Sequence, residues 1–442
     1  MVASYFADQC AKNPVDCATR GLGGKAGNKN VDDLFDLKDA ADRIEAEDKA
    51  RQAGEDAKKL TQEAKTDDER KKALAKYDEA IDGWPKGTKL TAEQAQQLRE
   101  RAALRASLGQ TQDARDDLDR AVGLNPSDPA IRLQRAELNK KDNPDKALLD
   151  YDAARRNIEK RDDIDDASKG LKVGNIERAR AQVLAGQGKT QDALQALYQA
   201  GQAYNASAGG PPKGFYVEQA EVRIRHANQG GGAIEGWSYM YAAAADDFRQ
   251  ASQADPRDTT LPQREAEARF SQAAAVMPSG YSGSPNPRQE ERNLALAGTL
   301  DAAQRAQGAN PNSPAPHQLQ GQALSAAGHD REWFGQAAEA RTAYGQAASA
   351  YAQAAQRSTT DGARAVNHLQ QGESLLGQAR TGGGQEGYRQ ALEALDQAQT
   401  RSFALSPGWR AQIQFNRAQV LRGLGRAQEA DAALAEARRL NQ

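Results

Sequence analysis

Three stretches of the chain keep the same residue types at the same distances from a proline. They are "ALAKYDEAIDGWP" (73–85), "ARDDLDRAVGLNP" (114–126) and "AAADDFRQASQADP", which ends at Pro256. Five residues before the proline stands Ala80, Ala121 or Ala251; eight before, Tyr77, Leu118 or Phe248; twelve before, Ala73, Ala114 or Ala244. Small–large–small at spacings of four and three puts all three side chains on one face of an α-helix. The small residues let a neighbouring helix approach, and the large one fills the gap between them. The proline then ends the helix and turns the chain. Unrelated loops do not keep such offsets, so the pattern predicts a repeated packing unit.

The triplet recurs without the proline at Ala147–Tyr151–Ala154, Ala193–Leu197–Ala200, Ala391–Leu395–Ala398 and Ala430–Leu434–Ala437. The stretch "EARTAYGQAASAYAQAAQR" holds it twice, as Ala340–Tyr344–Ala347 and Ala347–Tyr351–Ala354, and a weaker form runs through Thr299, Ala303 and Ala306. A glycine stands five residues before the opening alanine in "SLGQTQDA" (Gly109), "GQGKTQDA" (Gly188) and "GLGRAQEA" (Gly425). Glycine after a helix accepts the left-handed backbone of a tight helix–helix turn. Gly321 and Gly328, in "LQGQALSAAG", read as a close-packing position followed by a helix stop.

Together these features resemble the tetratricopeptide repeat family. That family pairs antiparallel helices, with a glycine at the turn, Ala–large–Ala on the second helix and a proline at the end. The best matches are 95–128, 174–207 and 411–442. The resemblance implies an all-α, right-handed α-solenoid of about eight to nine antiparallel helix hairpins. The closing alanines are unevenly spaced, so insertions and lengthened helices are expected between regular repeats.

Composition fits that expectation. Aromatic residues make up only 5% of the 442 residues, and alanine supplies much of the apolar content. Alanine has the best helix propensity, and thin alanine seams suit stacked helices better than one large core. The segment "DERKKALAKYDEA" mixes both charge signs and reads as the solvated face of a helix. Net charge is −2, and no Lys/Arg stripe with interleaved aromatics occurs, so nucleic acid is not an expected partner. No apolar run reaches the length of a membrane span, so no membrane insertion is expected. The start, "MVASYFADQCAKNPVDC", lacks a basic and apolar leader pattern. The chain as written reads as cytoplasmic, or as periplasmic or exported if a leader has been removed.

Four segments are expected. Residues 1–31 read as an irregular arm carrying Cys10 and Cys17; 32–204 as the N-terminal repeats; 205–215 as a Gly/Pro linker; and 216–442 as the C-terminal repeats with loop insertions. Cys10 and Cys17 would form a small disulfide loop in an oxidising compartment and stay free thiols in a reducing one. "NASAGGPPKGF" (205–215) and "MPSGYSGSPNPR" (277–288) are too rich in Gly and Pro for helix, and "NQGGGAIEGW" (228–237) and "TGGGQEG" (381–387) read as enlarged hairpin turns. The cluster "WSYMYAAAA" (237–245) puts Trp237, Tyr239 and Tyr241 at a helix start, where packing is the commoner role than recognition.

No catalytic constellation is visible. The four histidines, His226, His317, His329 and His368, form no HExxH or HxxxH pair. Two thiols without a nearby histidine are half a metal site at best. "GLGGKAG" (21–27) fails as a phosphate loop, because Ala26 stands where Ser or Thr is needed and no strand precedes it. The acidic run "EKRDDIDDASKG" reads as a solvated turn and helix cap. No cofactor, no metal and no enzyme activity are therefore expected.

The expected working surface is one stripe of each first helix. Its residues are Gln96, Arg99 and Ala103; Asn175, Arg178 and Gln182; Gln318, Gln322 and Ser325; and Gln412, Phe415, Gln419 and Arg422. Amides both donate and accept, so a ladder of them can hold an extended peptide backbone, while arginines hold carboxylates. The Lys/Asn arrangement with which some family members clamp a chaperone's terminal carboxylate is not matched. The expected function is a non-catalytic bacterial scaffold or adaptor for a protein or peptide partner. The alternatives are a structural subunit of a cell-envelope or appendage assembly, and a substrate-recruiting component of an enzyme system.

Overall fold

The computed structural model describes residues 29–85, 92–230, 234–276 and 288–441. Cys10 and Cys17, the arm up to residue 28 and the insertion at 277–287 lie outside the described residues. Helices follow one another in the order α1 (Lys29–Glu63), α2 (Asp67–Asp82), α3 (Ala92–Ser107), α4 (Thr111–Leu124), α5 (Pro129–Asn139) and α6 (Pro144–Glu159). Then come α7 (Asp166–Gly186), α8 (Thr190–Asn205), α9 (Phe215–Asn228), α10 (Ile234–Ala254), α11 (Leu261–Ala275) and α12 (Gln289–Ala309). The last are α13 (Ala315–Trp333), α14 (Ala337–Arg357), α15 (Asp361–Gln378), α16 (Gly384–Thr400), α17 (Pro407–Gly423) and α18 (Ala427–Leu440). No strand occurs among the described residues. Within each unit consecutive helices pair as hairpins, from α1–α2 to α5–α6 in the first and from α9–α10 to α17–α18 in the second, and successive hairpins there pack on one another.

The chain divides into two compact units. One holds residues up to Gly188 and Ala196–Gly210; the other holds Lys189–Gln195 and Pro211–Gln442, so α8 contributes to both.

The triplets form the seams. All nine closing alanines, Ala80, Ala121, Ala154, Ala200, Ala251, Ala306, Ala354, Ala398 and Ala437, are at most 5% exposed. Of their large partners Tyr77, Leu118, Tyr151, Leu197, Phe248, Tyr351 and Leu395 are buried too, while Leu434 is half-buried. The distance from alanine to proline has a hydrogen-bond cause. The carbonyls of Ala121, Ala251 and Ala306 accept from the N–H of Asn125, Asp255 and Asn310, the residue before each proline. The carbonyl of that same residue then accepts from Asp128, Asp258 or Ser313, closing a turn around the proline.

Within hairpins the turns use glycine as expected. Gly109, Gly188 and Gly425 have φ of 78°, 77° and 76°. The next N–H reaches back to Arg105 at 2.9 Å and to Leu421 at 2.9 Å, the six-to-one bond of a Schellman ending. Gly335 (φ 74°) does the same between α13 and α14, with Gln336 bonding Arg331 at 2.8 Å. This corrects the reading of Gly328 as a stop. Helix α13 runs on to Trp333, and Gly328 is buried because a Cβ there would lie 2.8 Å from the Tyr344 ring. The glycine serves close approach, not termination. "TGGGQEG" does break the chain, with Gly382 and Gly384 at φ 108° and 62° between α15 and α16.

The acidic run behaves as a cap: Asp165 accepts from the Ser168 N–H at 2.8 Å at the start of α7. In the mixed-charge stretch, Asp67 pairs with Arg70 and Asp68 with Lys71 at the exposed surface.

Buried charge also joins the helices. In the first unit Asp117 of α4 accepts from Arg101 at 2.5 and 2.9 Å and from Arg105 at 2.9 Å, both on α3. Asp150 of α6 is held by Arg132 and Arg135 of α5. Glu177 of α7 lies between Arg155 and Arg180; burial raises its carboxyl, against the pull of the two arginines. In the second unit Glu265 of α11 is clamped by Arg249 at 2.7 Å and Arg305 at 2.9 Å.

Candidate functional site

In the first unit the helices α5, α6 and α7 enclose an open cavity of about 410 Å³. It exists because α5 has only 11 residues and begins at a proline, so its wall is short beside the 21-residue α7. Pro129, Ala130 and Leu133 of α5 face Ile176 and Ala179 of α7, and Tyr151 and Ile158 of α6 make the floor. Polar groups ring this apolar interior: Asp128 and Glu137 on one side, Arg161, Lys172 and Asn175 on the other.

The polar groups are held in place. Asp128 caps α5, accepting from the Ala130 N–H at 2.8 Å. The Tyr151 hydroxyl donates to Glu137, which also takes Lys140 at 2.6 Å. Burial pushes Glu137 up, but Lys140 and the Tyr151 hydroxyl outweigh it and hold the carboxyl below its ordinary value. Burial, then the adjacent carboxylate, pushes the Tyr151 phenol upward, so it remains a donor at neutral pH. Asn175, which also lines the cavity, accepts the Tyr204 hydroxyl at 2.8 Å. Such a site can seat an apolar side chain and hydrogen-bond the backbone on either side of it.

The stripe expected from sequence falls into two groups, one in each unit. In the first, only Asn175 lines the cavity. Gln96 donates to Glu100 at 2.5 Å, and Glu100 also takes the Tyr77 hydroxyl at 3.0 Å. Arg99 is half-buried, and its carbonyl accepts from Gln134 at 3.2 Å. Arg178 is half-buried and Gln182 exposed, one and two turns beyond Asn175.

In the second unit the stripe is largely used to join successive first helices. Gln318 of α13 donates to Asn367 of α15 at 3.0 Å, and Ser325 meets Ser374 at 2.9 Å. Gln412 of α17 reaches Glu373 of α15 at 3.4 Å, alongside Asn416 at 2.7 Å. Arg422 turns to its own hairpin partner, pairing with Asp431 of α18 at 3.2 Å. Gln322 and Gln419 are half-buried, and Phe415 is 45% exposed.

Tyr151 reads from sequence as a seam residue only, and Ile158, Leu133 and Ile176 are not singled out there at all. One signal was available: "PAIRLQRAELN" is an unusually short helix of 11 residues that begins at a proline. Among the described residues no group of three or more His, Cys, Asp or Glu side chains is placed to hold a metal ion. Among them, too, no helix is long and apolar enough to cross a membrane.

Buried Ala–large–Ala seams, left-handed glycines inside the hairpins and proline turns between them define an array of the tetratricopeptide-repeat type. No family model matches the sequence, and no curated protein matches it. Solved structures do. A tetratricopeptide repeat protein from Parabacteroides merdae is similar at 14% identity and TM-score 0.38, covering 68% of this chain and 93% of that one. The C-terminal part of a TPR repeat-containing protein from Cytophaga hutchinsonii is similar at 12% identity and TM-score 0.39, covering 74% and 98%. YrrB, described as a TPR protein with an unusual peptide-binding site, is similar at 15% identity and TM-score 0.32, covering 54% and 95%. At such identities and scores these likenesses carry no partner or activity over to this chain.

Proposed function

We propose that the chain is a non-catalytic bacterial scaffold that holds an extended segment of a partner protein in the α5–α6–α7 cavity. The observation that carries this reading is the cavity itself, an apolar interior ringed by fixed donors and acceptors. A volume of about 410 Å³ suits one or two side chains of a peptide, and the pre-set tyrosine, carboxylate and amide lose little freedom on docking. The bound segment carries an apolar anchor, with its backbone across Asn175 and its flanks near Lys172 and Glu137. The Ala/Gln/Arg-rich composition supports the bacterial assignment.

Peptide-display selection on the full chain tests this. Selected peptides should share an apolar anchor and bind the wild type. Ala179→Trp, which fills the cavity from its half-exposed wall, should abolish that binding while leaving helicity and melting unchanged. Peptides that bind the Ala179→Trp chain as well as the wild type would refute the site.

A further inference from the structure

The two edges of the second unit differ in charge. At the edge with the turns inside the hairpins, arginines face carboxylates: Arg380 with Glu332, Arg389 with Glu386, Arg422 with Asp431 and Arg426 with Glu429. At the opposite edge α14, α16 and α18 end and α15 and α17 begin. Its carboxylates Asp361 and Glu436 are already taken by Arg364 and Arg439. Four further arginines there, Arg357, Arg401, Arg410 and Arg438, make no ion pair with a carboxylate among the described residues. Arg357 binds the carbonyls of Pro311 and Gln353, and Arg401 binds the carbonyl and side chain of Gln397, all neutral acceptors. This edge thus carries more arginine than carboxylate.

Two aromatic rings stand among these cations. Phe403 is 74% exposed and Trp409 is 45% exposed. Phe403 sits on a 3-10 turn, Ser402–Ala404, whose neighbours are fixed. Ser402 is buried, Leu405 packs on the core of α15–α17 and bonds Ser402 at 2.9 Å, and Ala404 lies against Gly362 at the start of α15. The fold therefore presents the Phe403 ring to solvent from a turn whose neighbours are packed.

We propose that this edge docks on an anionic lipid surface, with Phe403 and Trp409 entering the headgroup layer and Arg357, Arg401, Arg410 and Arg438 meeting lipid phosphates. A ring projecting from a rigid turn needs a partner that yields around it, and a headgroup layer does so. Aromatic rings favour that interface, and arginines there add electrostatic attraction. The surface is separate from the α5–α6–α7 cavity, so the two readings stand or fall independently.

Sedimentation of the full chain with vesicles tests it. One set is pure phosphatidylcholine, and the other contains roughly 30% phosphatidylglycerol. The wild type should sediment with the anionic vesicles, weakly with the neutral ones, and less as salt rises. Phe403→Ser with Trp409→Ser should lower partitioning about tenfold or more. Arg401→Gln with Arg438→Gln should lower it about fivefold per charge removed, since one arginine near such a surface contributes on that scale. These side chains are exposed or half-exposed, and unchanged melting of the variants keeps the comparison clean. Three results would overturn the proposal: equal binding to both vesicle types or to neither, variants that partition like the wild type, or binding of polyglutamate by this edge without vesicle binding. The last would assign the edge to an acidic protein partner.

Discussion

The Tyr344 ring is wedged between two glycines on successive first helices, and that geometry makes an unusual mutational prediction. A Cβ on Gly328 of α13 would lie 2.8 Å from ring atoms, and one on Gly377 of α15 would lie 2.9 Å from three of them. Carbon–carbon contact is comfortable at about 3.5–4.0 Å, so either methyl falls short by much of an ångström. The ring cannot step aside. It is 1% exposed, and its hydroxyl is held at 2.6 Å by Glu332 and at 2.8 Å by His329 Nδ1. Gly377→Ala therefore costs about 1–3 kcal/mol of overpacking. Against this, alanine in a helix gains about 1 kcal/mol over glycine, leaving a net loss of roughly 0–2 kcal/mol.

The sign should reverse when the wedge is gone. In a Tyr344→Ala background Gly377→Ala has no ring to meet and should gain about 0.5–1 kcal/mol from helix propensity alone. Stacked hairpins can open locally, so the suitable readout is amide hydrogen exchange of α14 and α15, which follows local opening. Gly308→Ala on α12, where a Cβ meets nothing within 4 Å, is the control and should be neutral or stabilising. If Gly377→Ala raises protection in the wild-type background, or costs the same with and without Tyr344, the wedge argument is wrong.

Other outcomes follow from the same coordinates. Ala121→Leu, at a fully buried seam position, should cost about 1–3 kcal/mol, whereas Ala437→Leu, on the last described helix, should cost less; urea midpoints of both against the wild type decide this. Burial raises the Asp247 carboxyl from 3.8 to about 7, opposed by Arg223 at 3.1 Å and helped by the neighbouring Asp246. A folded-state value above the unfolded one means that the contribution is full below pH 3.8 and is lost as pH rises to about 7. That loss is on the order of 4 kcal/mol at most. Exchange protection of α9 and α10 should therefore fall as pH rises from 3.8 to about 7, and Asp247→Asn should flatten the fall; an equally steep profile in the variant would count against a titrating Asp247.

Fold and candidate site were not equally legible. The seams were readable because alanine triplets at helical spacing allow few other packings, and all nine closing alanines named above are buried. Proline turns and left-handed glycines were readable because each needs one residue type at one place. Gly328 misled because a glycine late in a helix looks the same whether it ends the helix or admits a ring from another. Only Tyr344, sixteen residues further on, tells them apart, and that contact is tertiary. The cavity was missed for a similar reason. Leu133, Ile158 and Ile176 look like ordinary seam residues, and the gap between them comes from the unequal lengths of α5 and α7.

The residue just before the large one explains a further difference that the triplet conceals. In α4, α6 and α10 it is Asp117, Asp150 or Asp247, each buried and each met by an arginine of the preceding helix. In α14, α16 and α18 it is Ala343, Ala394 or Ala433. In the first two the preceding helices offer glycines instead, Gly328 under Tyr344 and Gly372 under Leu395, while Gly423 of α17 lies against Tyr388 of α16. An ion pair needs depth for two long side chains and strict geometry to offset its desolvation. A ring on glycine needs only closeness. The same triplet thus fixes where two helices meet, while its neighbour decides whether charge or close packing joins them. The charge-joined hairpin α5–α6 is the one that walls the cavity together with α7.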